Sequence, residues 1–256
     1  MLCRILKKRM GKQIHYIDIL DTKIPFHIYI EKRNSVRVSF GKTGINLRMP
    51  VFFNAATKQK HFEKAVKWVQ KKAKSDPSLM LQYQEKDYSK INTLYIYGKE
   101  FQIIINENAN RASGKANFLK KENTIQLELP SLTDHMERSK MIKSLLSRIC
   151  GQLFINDITK RVHHINDKCF KKEIKQVRLK YNKSNWGSCS SNNNINLSTR
   201  LLFAPNDVID YVIIHELAHL YEMNHSPKFW NIVAQVMPSY KEKEQWLKKN
   251  GHLCDF

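Results

Sequence analysis

Apolar positions in residues 14–52 alternate with polar ones over short runs, which is the period of a β-strand with one buried face. Residues 57–73 change to helical spacing, and lysines fill the positions between the apolar ones. A second group of alternating runs then follows, and no internal repeat is evident. The predicted strands are IHYIDIL, IPFHIYI, SVRVSF and INLRMP before the helix, and TLYIYG, EFQIIIN and TIQLELP after it.

The pattern changes after residue 133. Residues 135–170 carry apolar positions at helical spacing and predict one long helix or two successive ones. A strand is predicted at 174–180, then a loop, then the short strand INLS, and the last 50 residues are mostly helical. We therefore expect an α+β fold with a domain boundary near residue 133, which gives a β-rich basic region (1–133) with one helix and a second domain (134–256).

The segment NDVIDYVIIHELAHL predicts an apolar helix that begins after Pro205 and contains the pattern H-E-x-x-H. Asn206 or Asp207 is expected to cap its start. Positions four apart lie one turn apart on the same side of a helix, so His215 and His219 can bind one metal ion. Glu216 is offset from both and can act as general base on a water molecule. A histidine pair without a metal remains the alternative, but buried unpaired imidazoles are costly.

A third histidine, His225, lies six residues beyond His219, so it can join the pair only if the chain turns back. Asn224 tolerates the left-handed conformation that ends helices, and Ser226-Pro227 is typical of the start of a new helix. His225 is therefore predicted at a corner between two helices. Three protein ligands and one open position indicate a catalytic site, and Zn²⁺ is the expected metal, although other divalent ions can occupy such a site.

Other residues near this segment have simpler interpretations. Ser188 as a nucleophile and Cys189 as a metal ligand are disfavoured, and the segment around them is expected to shape the wall of a cleft. The strand Ile195 to Ser198 could run beside the helix and offer an edge to an extended peptide. We expect Tyr211, Phe229 and Trp230 to pack in the core. We expect His163 and His164 to lie at the surface.

The ordered motifs WGSCSS, HELAHL, NHS-x-x-FW and a final WL strongly resemble those of the YgjP-like metallopeptidases, which are similar to SprT-like and WLM zincins. The resemblance is dense over residues 174–253 and looser before them. It implies a zincin-like metallopeptidase domain, with zinc ligands at His215, His219 and His225 and catalysis through Glu216. Glu222, three residues after His219, stands where metzincins have glycine. This difference indicates that the turn after the helix is not the metzincin turn.

The chain contains 44 Lys and Arg against 23 Asp and Glu, a net charge of +21. Such a surface attracts polyanions, although no compact basic block is evident, so nucleic acid or nucleotides are possible partners beside a peptide or protein substrate. Five scattered cysteines disfavour a disulfide framework. No apolar run is long enough for a membrane helix or signal peptide, so a cytoplasmic location is expected and no membrane partner. The oligomeric state is left open.

The leading hypothesis is thus a zinc-dependent hydrolase, a metallopeptidase that uses Glu216 and water. Three alternatives stay open at this point. The same site could hydrolyse nucleotide phosphoanhydrides, it could belong to a nucleic-acid-associated protease, or it could be a structural metal site in a non-catalytic adaptor.

Overall fold

The computed structural model describes residues 11–20, 22–41, 43–81, 83, 88, 91–131 and 134–256, with the backbone alone at Ser78 and Leu81. The chain divides into two compact units, residues 1–85 and 86–256. This division lies upstream of the boundary near residue 133 that the sequence predicted. The reason is that the second group of strands shares one apolar core with the helix that follows residue 133.

The first unit contains a four-stranded sheet. Its strands lie in the order β1-β2-β4-β3, with β2 and β4 parallel and the two outer pairs antiparallel. The four predicted strands are confirmed here. The strands are β1 (Gly11–Ile19), β2 (Thr22–Glu31), β3 (Arg37–Gly41) and β4 (Gly44–Pro50).

The helix α1 (Ala55–Ser75) supplies the apolar side chains that cover one face of this sheet. The side chain of Asn54 caps it by accepting from the N–H of Thr57. Phe62 meets Phe26 of β2 edge to face, at 5.7 Å between ring centroids. The helix ends before Asp76-Pro77, and a short helix, α2 (Ser78–Leu81), follows.

The second unit begins with a sheet of the same topology. Its order is β5-β6-β8-β7, with a parallel central pair and antiparallel outer pairs, and a long helix follows. The chain therefore contains a structural repeat that the sequence did not indicate, because backbone topology can recur while side chains differ. The strands are β5 (Thr93–Ile96), β6 (Lys99–Glu107), β7 (Lys115–Leu119) and β8 (Thr124–Leu129). Of these, β7 was not predicted.

The helix α3 (His135–Ile165) is a single helix, capped by Asp134, and a π-helical turn (Asn166–Phe170) extends it. A three-stranded sheet of order β10-β11-β9 follows, with β9 (Gln176–Lys180), β10 (Gly187–Cys189) and β11 (Asn194–Ser198). The strand β10 was not predicted. The remaining helices are α4 (Asn206–Ala218), α5 (Pro227–Val236) and α6 (Tyr240–Asn250).

The predicted α+β class is confirmed. Within the described part of the chain, no helix combines the length and the apolar character that a membrane crossing needs. The described cysteines form no disulfide; they are Cys150, Cys169, Cys189 and Cys254.

The helices α3 and α4 are joined by the guanidinium of Arg161. It donates to both carboxylate oxygens of Asp210, at 2.6 and 3.0 Å, and to the side chain and the carbonyl of Asn206, at 2.8 and 2.9 Å. It also donates to the hydroxyl of Tyr97. Such bidentate, charge-assisted bonds are stronger than neutral ones. They fix the first turns of α4, the helix that contains H-E-x-x-H.

We expect Arg161→Ala to lower the free energy of unfolding by about 2–3 kcal/mol, because Asp210 and Asn206 lose their donors. The matched control is Arg138→Ala, which removes an ion pair with the more exposed Glu107 and should cost less than about 1 kcal/mol. Urea unfolding followed by tryptophan fluorescence in a Trp68→Phe background reports the second unit. Equal losses in the two variants would contradict a special role for Arg161.

Candidate metal centre

The helix α4 contains His215 and Glu216, and His219 follows at its C-cap position with helical backbone angles. Most of the helix is buried, and its buried residues besides Glu216 are Val208, Ile209, Tyr211, Val212, Ile213, Ile214, Leu217 and Ala218. The predicted side-chain cap is wrong, because Pro205 occupies the cap position and no side chain caps the helix. Asn206 instead accepts from Arg161, and Asp207 pairs with Lys243 at 2.7 Å.

The corner after α4 differs in detail from the prediction. The helix ends at Ala218, whose carbonyl accepts from the N–H groups of Tyr221 and Glu222. Asn224 does not adopt a left-handed conformation, because this irregular turn already reverses the chain. The Ser226 N–H donates to the Asn224 carbonyl at 2.8 Å, and the Ser226 side chain caps α5, as predicted. His225 therefore lies at the tip of the turn.

The turn brings the three predicted histidines together. One ligand nitrogen from each of His215, His219 and His225 lies within 4.8 Å of the others. The Nε2 atoms of His215 and His225 are 3.0 Å apart, close to the roughly 3.3 Å that separates two nitrogens on one tetrahedral zinc. The Nδ1 atom of His219 lies 3.1 Å from the Glu222 carbonyl, a contact that leaves its Nε2 for a metal. The donor set therefore fits a zinc ion.

Burial favours the neutral form of His215 and His219, which is the form that binds metals. Burial is the main reason that the pKa of His215 falls to about 3, and the neighbouring His219 and His225 lower it further. Burial also lowers the pKa of His219. His225 is exposed, so one side of the cluster is open to solvent.

Aromatic rings pack against the histidine cluster. Phe229 is fully buried, and its ring centroid lies between 4.5 and 4.9 Å from those of all three histidines. Trp230 stacks on His225 at 5.8 Å and on Tyr240 at 5.3 Å. Both residues were predicted to be core residues. Phe229 is a core residue, as predicted. The rings of Phe229 and Trp230 also border the candidate metal centre.

Glu216 is the only acidic side chain that is buried among the described residues. Burial raises its pKa to about 8, and the backbone amide of Cys189 partly offsets this effect. The carboxylate packs directly on the Cα of Gly187, where an added Cβ would lie 2.6 Å from Oε1. The strand β10 thus holds Glu216 through its backbone, and glycine is needed at position 187 for space.

The edge of the sheet beside α4 is β10, not the strand Ile195 to Ser198 that was predicted. That strand, β11, lies in the centre of the sheet, because β10 and β9 pair with its two sides. With only three residues, β10 is too short a strand to show an alternating pattern in the sequence. The signal that the sequence offers in this segment is Gly187, because a glycine permits a tight backbone.

The other candidate residues take the positions that were predicted for them. Ser188 is exposed on β10, and Cys189 is half-buried, with its pKa raised to about 11 by burial first and by Glu216 second. Tyr211 is buried and meets the ring of His215 edge to face at 6.1 Å. His163 and His164 are exposed near the end of α3.

Comparison with known proteins agrees with this arrangement. The YgjP-like family, metallopeptidase domain, matches residues 32–250, and the chain therefore belongs to this family. The resemblance inferred from the sequence motifs is thus confirmed. No curated protein matches the chain.

Two solved structures are similar to part of the chain. One is the metallopeptidase zymogen abylysin of Pyrococcus abyssi, with 28% identity over 36% of this chain and 93% of that chain, at a TM-score of 0.33. The other is the metallopeptidase zymogen jannalysin of Methanocaldococcus jannaschii, with 22% identity over 36% of this chain and 94% of that chain, also at 0.33.

We expect the buried carboxyl of Glu216 to destabilise the metal-free protein as the pH rises. Its pKa is about 8 in the folded chain and roughly 4.3 in an unfolded one, so the folded state binds more protons between these values. The contribution of the protonated Glu216 carboxyl to the free energy of unfolding is therefore lost as the pH rises from about 4.5 to 8. Glu216→Gln should match wild type near pH 4.5 and unfold several degrees higher at pH 8. Thermal unfolding in EDTA tests this, and a pH-independent difference would contradict it.

We expect Gly187→Ala to destabilise the protein through contact with Glu216. The added methyl group overlaps the carboxylate and should cost about 1–3 kcal/mol. In a Glu216→Ala background the overlap disappears, so the same change should cost much less. Chemical unfolding of the four proteins in this double-mutant cycle measures the coupling. Ser188→Ala, on the same strand but exposed, is the control and should be near neutral. Additive effects of the two changes would rule out the contact.

Proposed function

We propose that the chain is a zinc-dependent peptidase in which His215, His219 and His225 bind the metal and Glu216 is the general base. The observation that carries the proposal is the convergence of three imidazoles at one solvent-accessible point, with a buried carboxylate beside them. Membership in the YgjP-like family supports peptide hydrolysis as the reaction class.

Zinc, when bound, would polarise a substrate carbonyl and lower the pKa of a coordinated water molecule. Glu216 would take a proton from the attacking water and return it to the leaving amine. A carboxyl whose pKa lies near neutrality in its buried position is suited to both transfers, since it gains and loses a proton at moderate cost. The positive charge of the ion would favour the carboxylate form.

The backbone of β10 is suited to align a substrate. Within the described residues this strand pairs with β11 on one side only, and it contacts α4 beside Glu216. An extended peptide can add to such an edge through main-chain hydrogen bonds and so bring its peptide bond towards the histidines. The rings of Phe229 and Trp230 limit water access on another side of the cluster.

The proposal predicts about one zinc per chain in the purified protein and its loss in His225→Ala. Glu216→Gln should keep the zinc, because the carboxylate is not a ligand, but lose hydrolysis by about 10²–10⁴-fold. Elemental analysis and cleavage of a mixed peptide library measure the two properties. His163→Ala, an exposed histidine on α3, is the control and should change neither.

The outcomes separate the proposal from its competitors. Unchanged zinc content in His225→Ala would remove the third ligand from the proposal. A panel of nucleoside triphosphates run beside the peptides tests the hydrolysis of phosphoanhydrides by the same site. Zinc-loaded protein that cleaves neither class, with or without Glu216, would support a structural metal instead.

A further inference from the structure

A groove lies within the second unit between α3 and the strand β9, and we refer to it as the α3–β9 groove. Its volume is about 700 Å³, and its walls are one side of α3 from Lys140 to Ile155 and the residues 176–181. None of its lining residues belongs to the histidine cluster. The groove follows the β9 edge of the three-stranded sheet, whereas the candidate metal centre adjoins the opposite edge, β10.

The strand β9 presents its edge, rather than one face, to this groove. All five residues of β9 and the following Tyr181 line it, although successive side chains of a strand point to opposite faces. On its other side β9 pairs with β11 in parallel register, and it pairs with no further strand in the described part of the chain. Such an edge offers unpaired N–H and C=O groups to an extended segment.

The floor of the groove is apolar. Gly151 allows α3 to approach β9 closely, since a Cβ there would lie 3.1 Å from the Leu179 carbonyl oxygen. Ile155, Val177 and the ring of Tyr181 contribute further apolar surface to the lining. A ligand that fills this space therefore needs apolar side chains as well as a polar backbone.

The rim of the groove is cationic. Lys140 and Arg148 project from α3, Arg178 and Lys180 lie on β9, and all four are exposed. None of these four forms an ion pair with another described residue, and no acidic residue lines the groove. The rim therefore carries four positive charges and attracts an anionic ligand. A second copy of this chain is disfavoured, because each copy has a net charge of +21.

We propose that the α3–β9 groove binds an extended, acidic segment of a partner protein, which adds to β9 as a strand. Peptide backbone satisfies the unpaired edge, alternate apolar side chains fill the floor, and acidic side chains meet the cationic rim. A nucleic acid would match the charge but has no counterpart for the strand edge. The inference is independent of hydrolysis at the histidine cluster, because the two sites share no residue.

The test measures the binding of a fluorescein-labelled peptide of about eight residues in which valine and glutamate alternate. Fluorescence anisotropy should detect micromolar binding that weakens as salt is added. Replacement of glutamate by lysine should abolish binding. N-methylation of alternate peptide nitrogens, which keeps charge but removes the strand donors, should weaken it by about tenfold or more. Equal binding of the N-methylated peptide would overturn strand addition.

The site is tested by the double variant Arg178→Glu/Lys180→Glu, which should weaken peptide binding by about tenfold or more. The matched control is Lys160→Glu/Lys168→Glu, which makes the same charge change at exposed positions outside the groove. Circular dichroism and thermal unfolding verify that both variants are folded. Equal effects of the two variants would overturn the groove as the site. A single-stranded oligonucleotide that binds in a groove-dependent manner, when the peptide does not, would replace the proposal with a nucleic-acid site.

Discussion

The close packing of β10 on α4, where Gly187 meets Glu216, is the contact on which the rest of the candidate site depends. It buries an acidic side chain beside three imidazoles and leaves no space for a side chain at position 187. A carboxylate in this position is neither solvated nor paired with a cation of the protein, so burial raises its pKa. A metal ion on the histidines would provide the missing positive charge, and this electrostatic complementarity connects the fold to the proposed chemistry.

The two four-stranded sheets show how one arrangement serves two purposes. Each sheet has a parallel central pair and is followed by a helix with an Asn or Asp cap, α1 in the first unit and α3 in the second. The helix α1 has 21 residues and covers its own sheet, whereas α3 has 31 residues and extends further. Arg161 of this longer helix holds the start of α4. Other residues of α3 form one wall of the groove beside β9.

The three-stranded sheet separates two environments through its two edges. The edge at β10 adjoins a helix with histidines and a buried carboxylate, whereas the edge at β9 adjoins an apolar floor with a cationic rim. The buried central strand β11 keeps the two edges apart. Because both edges present backbone groups, each is suited to an extended peptide, but the surrounding charges favour different ligands.

The sequence by itself determined the long elements and the identity of the clustered histidines. Helical spacing places His215 and His219 on one side of α4, and Ser226-Pro227 starts a new helix that brings His225 back, because these are local properties of the backbone. Only the tertiary structure decided that Asn224 is not left-handed, that β5–β8 belong with α3, and that a backbone strand holds Glu216. A three-residue strand such as β10 has no detectable period, and the contact between Gly187 and Glu216 arises from packing between distant segments, which no local pattern encodes.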